Sequence, residues 1–99
     1  MRSRRTERKD QQLCSQVRDA LEYALMETAR DELSRAWVRE VLPNPDAKSL
    51  MVIIEADDLE GAREAISQMR GFLRAEVAGA IHRKRTPELT FKVVPLTVS

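Results

Sequence analysis

Apolar residues recur along the chain at spacings that switch between helical and extended. From Asp10 to about residue 30 they fall at Leu13, Val17, Ala20, Leu21, Ala24 and Leu25, with Thr28 in phase. Steps of three and four put them on one face of an amphipathic helix. Gln12, Gln16, Asp19, Glu22 and Glu27 fall largely on the other side, and neither Gly nor Pro interrupts the run. Residues 36–42, with Trp37, Val38 and Val41, lean towards a strand. Pro43-Asn44-Pro45-Asp46 then stops any regular element, because proline lacks the N–H and fixes φ. Leu50-Met51-Val52-Ile53-Ile54 is a continuous apolar run of strand length. Two strands on either side of a short loop predict an antiparallel hairpin.

Asp57-Asp58 opens the next helix, and Asp57 with Glu60 has capping-box spacing. Leu59, Ala62, Ile66, Met69, Leu73, Val77 and Ala80 keep one apolar face. Unbroken to Lys84, such a helix would be about 40 Å long at 1.5 Å per residue, longer than a small domain is wide. A break is therefore expected. Gly71 is the candidate, with Met69 and Arg70 beside it and Gly79 second, because glycine tolerates the backbone angles of a kink. The prediction is two helices, about 58–69 and 72–83. Cations at His82-Arg83-Lys84-Arg85 suit a helix C-terminus, and Thr86-Pro87 ends it. Leu89, Phe91 and Val93 alternate with Thr90 and Lys92, the mark of a half-buried strand. The order is α-β-β-α-α-β. Three strands with one face to bury, and helices to cover it, make a two-layer α+β domain.

Residues 1–9 are polar, basic and aperiodic, and are expected to form a flexible arm ahead of a single domain over 10–99. The chain holds 99 residues, with one Cys, so no internal disulfide forms and the disulfide-rich secreted class is excluded. No apolar run approaches the ~18 residues of a membrane span, and no apolar segment follows the basic start as in a signal peptide. A soluble intracellular domain is expected. The net charge of +1, taken alone, disfavours a polyanionic partner, but it hides a pattern. Residues 1–18 hold six bases and two acids, a balance of +4. Residues 19–69 hold five bases and twelve acids, −7, and residues 70–99 six bases and two acids, +4. Basic ends on an acidic middle suit a nucleic-acid partner or simple mutual neutralisation, and charge alone does not choose.

Arg70-Gly71-Phe72-Leu73-Arg74, followed by Arg83-Lys84-Arg85-Thr86-Pro87-Glu88-Leu89-Thr90-Phe91, resembles the ribosome-binding factor A family. That family carries a Gly-Phe-Ile/Leu-Arg stretch, a basic helix end, and Pro-Glu-Leu-x-Phe entering its last strand. The resemblance extends more weakly over roughly 10–93. It departs at Met69-Arg70-Gly71, where the family has Ala-x-Gly. The resemblance implies a KH-like type II domain, with a three-stranded sheet covered by helices on one face and a helix pair kinked at Gly71. It implies a non-catalytic, cytoplasmic, monomeric factor that binds the free small ribosomal subunit and 16S rRNA and assists late maturation. No cofactor, metal, membrane or small-molecule substrate is implied. The alternative is a protein-interaction or dimerisation module on the same fold, without RNA binding.

A Gly-x-x-Gly loop, which clamps single strands in KH domains, is missing, since Arg74 stands three residues after Gly71. What remains is cationic. Arg70, Gly71 and Arg74 at the kink, Arg83, Lys84 and Arg85 beyond it, and Arg4, Arg5, Arg8 and Lys9 in the arm are the expected RNA contacts. Guanidinium groups suit phosphate through bidentate hydrogen bonds, so backbone and shape would be read rather than base sequence. The competing role of Arg83, Lys84 and Arg85 is a solvated helix cap. His82 is the only histidine and has no Cys near it, so a zinc site is not expected. Cys14, beside the apolar stripe, reads as a buried thiol rather than a nucleophile. Glu55, Asp57 and Asp58 read as capping carboxylates. Trp37 and Phe72 could stack on bases, but core packing is expected for both.

Overall fold

The computed structural model describes residues 4–44 and 48–96, with backbone alone at 4–7. Its elements are α1 (Arg4–Glu27), a 3-10 turn (Asp31–Leu33), β1 (Ala36–Pro43), β2 (Ser49–Ala56), α2 (Leu59–Gln68), α3 (Arg70–Ala80) and β3 (Glu88–Pro95). The helix–strand order is the one the apolar periodicity predicts. β1 and β2 form the expected antiparallel hairpin, from Ala36 opposite Ala56 to Pro43 opposite Leu50. Pro45 and Asp46 of the expected loop lie outside the described residues. β3 then pairs in parallel with β2, from Ser49 beside Glu88 to Ala56 beside Pro95. Parallel neighbours need a long crossover, and α2 with α3 supplies it. β2 is thus the centre of the order β1-β2-β3.

Alternation along the strands sets the layers. Leu50, Val52 and Ile54 point at the helices and are closed to solvent, as are Val38 of β1 and Leu13, Val17 and Leu21 of α1. Leu73 and Val77 of α3 complete this core, with Leu89 and Phe91 packed at its margin. Each fully buried Leu or Val contributes roughly 1.5–3 kcal/mol. Trp37, Leu42, Met51 and Ile53 fall on the opposite face of the sheet, which no helix covers. Trp37 is consequently 43% exposed, against the expectation of core packing. Its apolarity was legible, but not which face of its strand would be covered.

Four boundaries differ from the sequence expectation. Instead of starting at Asp10, α1 reaches back to Arg4. The residues added are Arg, Thr, Glu and Lys, which lack apolar periodicity but contain no helix breaker. Residues 1–3 of the expected arm lie outside the described residues.

The cap of α2 is Asp58 rather than Asp57, its Oδ1 accepting the Gly61 N–H at 3.0 Å. Asp57 instead pairs with Arg35 at 3.4 Å.

The break in the long helix falls at Met69, with φ −96° and ψ 5°, and not at Gly71. That conformation is open to any L-residue, so no glycine is needed. The Met69 N–H is shared between the Ala65 and Ile66 carbonyls at 3.0 and 3.1 Å, and the Met69 carbonyl accepts the Leu73 N–H at 2.8 Å. Gly71 sits inside the first turn of α3.

Finally, α3 stops at Ala80, because Ile81 turns extended (φ −108°, ψ 145°) and is buried. His82, Arg83, Lys84 and Arg85 therefore lie in the loop to β3, not on a helix end.

Candidate nucleic-acid interface

Arg70 and Arg74 both belong to α3, so the break does not separate them, and one turn of helix sets them on the same flank. That flank faces β3. Arg70 and Arg74 line a groove with Glu88, Leu89, Thr90 and Phe91. The groove continues past Arg70 to Arg63 of α2 and Lys92 of β3. Arg63 also pairs with Glu60 at 3.1 Å, an exposed pair of small energetic weight. Sequence reasoning named Arg70 and Arg74 and missed the other two. Arg63 had a signal, since seven residues before Arg70 is two helical turns. Lys92 had none, because its proximity depends on β3 lying beside the helices.

A second hollow is lined by Lys48, Arg83 and Arg85 with Ser49, Thr86, Pro87 and Glu88. The Glu88 N–H donates to the Lys48 carbonyl at 3.0 Å, which pins the start of β3 to the start of β2. Lys84 is exposed in the same loop but outside the lining. Lys48 was missed as well, since it stands in the acidic middle of the chain.

The third basic group sits on α1. Cys14, Ser15 and Arg18 border Val41 and Leu42, while Glu22 accepts the Val38 N–H at 2.9 Å and Leu25 borders Ala36. α1 therefore runs antiparallel to β1, and its first turns lie towards the Pro43 end of the sheet. Arg8 and Lys9 are exposed there, with Arg4 and Arg5 one turn further out on the helical backbone. β2 and β3 both start at this end, and α3 finishes at it. The basic segments, distant in sequence, thus share one end of the domain, and the Arg63–Arg70–Arg74 flank runs up to it along β3.

Acidic residues gather at the other end. Glu27 closes α1, Asp31 and Glu32 form the 3-10 turn, and Asp57, Asp58 and Glu60 lie where β2 passes into α2. Arg30 donates to Gln68 Oε1 at 2.7 Å and ties this end together. Glu55 is not a cap: it is buried and pairs with Arg39 at 3.4 Å across the hairpin.

The remaining candidates offer no reactive chemistry. Burial pushes the Cys14 thiol above its ordinary value, which leaves less thiolate at neutral pH. His82 is exposed, and among the described residues no three His, Cys, Asp or Glu side chains gather as a metal site. No described helix is long and apolar enough to cross a membrane. Phe72 is 48% exposed, against the expectation that it packs in the core. Neighbours on a helix point about 100° apart, and Leu73 takes the inward line.

No protein-family model and no curated protein sequence matches the chain. Among solved structures, it is similar to the crystal structure of ribosome-binding factor A from Thermus thermophilus, with a TM-score of 0.77 and 28% identity. The match covers 85% of this chain and 93% of that one. The resemblance carried by residues 70–91 thus extends to the whole architecture: the chain has a ribosome-binding factor A-like, KH-like α+β fold.

Proposed function

We propose, from the fold shared with ribosome-binding factor A, that this chain is a non-catalytic ribosome-binding factor that docks on rRNA of the free small subunit and assists its late maturation. The carrying observation is the convergence of basic groups from four parts of the chain on one end and one flank of the domain. Arg8 and Lys9, Lys48, Arg83 with Arg85, and Arg70 with Arg74 lie far apart in sequence. A surface of this kind follows a phosphate backbone without reading base edges. A net charge of +1 is compatible with it, because the acids are held at the opposite end.

Sedimentation with purified small subunits through a sucrose gradient, at low and high salt, tests the reading. Binding should weaken steeply as salt rises. Charge reversal at Arg70, Arg74, Arg83, Lys84 and Arg85 should abolish it. A log K that stays flat against log salt would sink the proposal. A protein-interaction or dimerisation module is the second reading, favoured by the uncovered sheet face with Trp37 and Leu42 exposed. A concentration-dependent dimer that binds neither subunits nor RNA would select it.

A further inference from the structure

We infer that Phe72 is a base-stacking residue, and that the RNA met by α3 includes an unpaired nucleotide rather than duplex alone. This rests on the RNA-binding reading above. Around α3, Leu73 and Val77 take the inward line and Arg70 and Arg74 take the flank towards β3. Phe72 falls on the other flank, nearly half exposed in the first turn. Gly71 and Ala75 lie on the outer surface between the two flanks, and a Cβ placed on Gly71 would meet nothing within 4 Å. A strand crossing this low surface has guanidinium groups on one side and an aromatic ring on the other.

Burial does not account for the ring, because Leu73 already fills the core position beside it. An exposed aromatic next to cations matches how single strands are held: phosphates are neutralised and a base lies flat on the ring. Stacking tolerates any base, so it suits a domain without a Gly-x-x-Gly clamp. Paired bases are already stacked within the helix, so the ring distinguishes loops, bulges and ends from duplex.

The test uses the full chain and two probes: a single-stranded RNA oligonucleotide with one 2-aminopurine, and the same strand annealed to its complement. Phe72→Leu should weaken single-strand binding roughly 5- to 150-fold, the loss expected from one base–aromatic stack. It should leave duplex binding and the salt slope unchanged, because no cation is removed. Phe72→Tyr should keep single-strand affinity and the 2-aminopurine quench. Trp37→Leu, on the uncovered sheet face, should change neither probe. The inference is overturned if Phe72→Leu matches the parent protein on the single strand, loses affinity equally on both probes, or is mimicked by Trp37→Leu. If the parent protein binds both probes without salt dependence, the RNA reading itself fails. Salt-dependent binding that ignores Phe72 defeats only the stacking.

Discussion

A Cβ at Gly61 would run into the Asp58 carboxylate, which reaches over the first turn of α2 to accept the Gly61 N–H. This glycine is selected by close approach, not by unusual backbone angles. Gly61→Ala should displace the cap and cost about 0.5–2 kcal/mol, read as a lower urea midpoint. Gly71 is the opposite case. It lies within α3 with open space where a side chain would start. Gly71→Ala should therefore stabilise by about 0.5–1 kcal/mol through reduced unfolded-state entropy and raise the melting temperature. The sequence pointed to Gly71 as the break because glycine permits one. Permission is not need, and the conformation at Met69 needs no glycine. At Cys14, the raised thiol pKa means native protein should react slowly with a thiol reagent at neutral pH and rapidly once unfolded. The stability linked to that shift is complete below the ordinary thiol range. It is lost as the pH climbs through the raised value.

β1 is an edge strand, and edges invite pairing with other chains. Two features blunt this one. The Val38 N–H is taken by Glu22 Oε1 of α1, and the register slips between Val38 and Glu40, a bulge that twists the edge. Glu22→Ala should leave a part-buried N–H without its charged acceptor, costing about 1–3 kcal/mol in denaturant unfolding. Sedimentation at high concentration should then show self-association absent from the parent protein. The elements themselves were legible in the sequence, because period-three-to-four and period-two burial leave direct marks on hydrophobicity. What one element does to another was less so. Glu22 looked like one more polar residue on the outer face of a helix, and its role depends on α1 lying beside β1. Trp37 and Phe72 were misplaced for the same reason: hydrophobicity says that a residue can be buried, not that a partner layer is there.

At the scale of the whole molecule, folding turns a linear charge pattern into a spatial one. The +4, −7 and +4 segments were visible in the sequence, with no way to tell mutual neutralisation from separation. The parallel placement of β3 and the antiparallel run of α1 decide it, by bringing both basic segments to the end where β2 and β3 start and leaving the acids at the other. Lys48 joins the basic end from inside the acidic segment, which no count by segment could reveal. A molecule charged this way should approach a polyanion with one end forward and be repelled at the other. Replacing Arg83 and Arg85 by Gln should lower the salt slope of RNA binding by about 1.4 on single strands or 1.8 on duplex, if each meets one phosphate. Replacing Asp31 by Asn and Glu32 by Gln should leave that slope unchanged and raise the association rate at low salt. Near 1 M salt, where the Debye length is about 3 Å, the gain should vanish. Stopped-flow association across a salt series separates the two effects: loss of the basic end changes the slope, and loss of the acidic end changes only the low-salt rate.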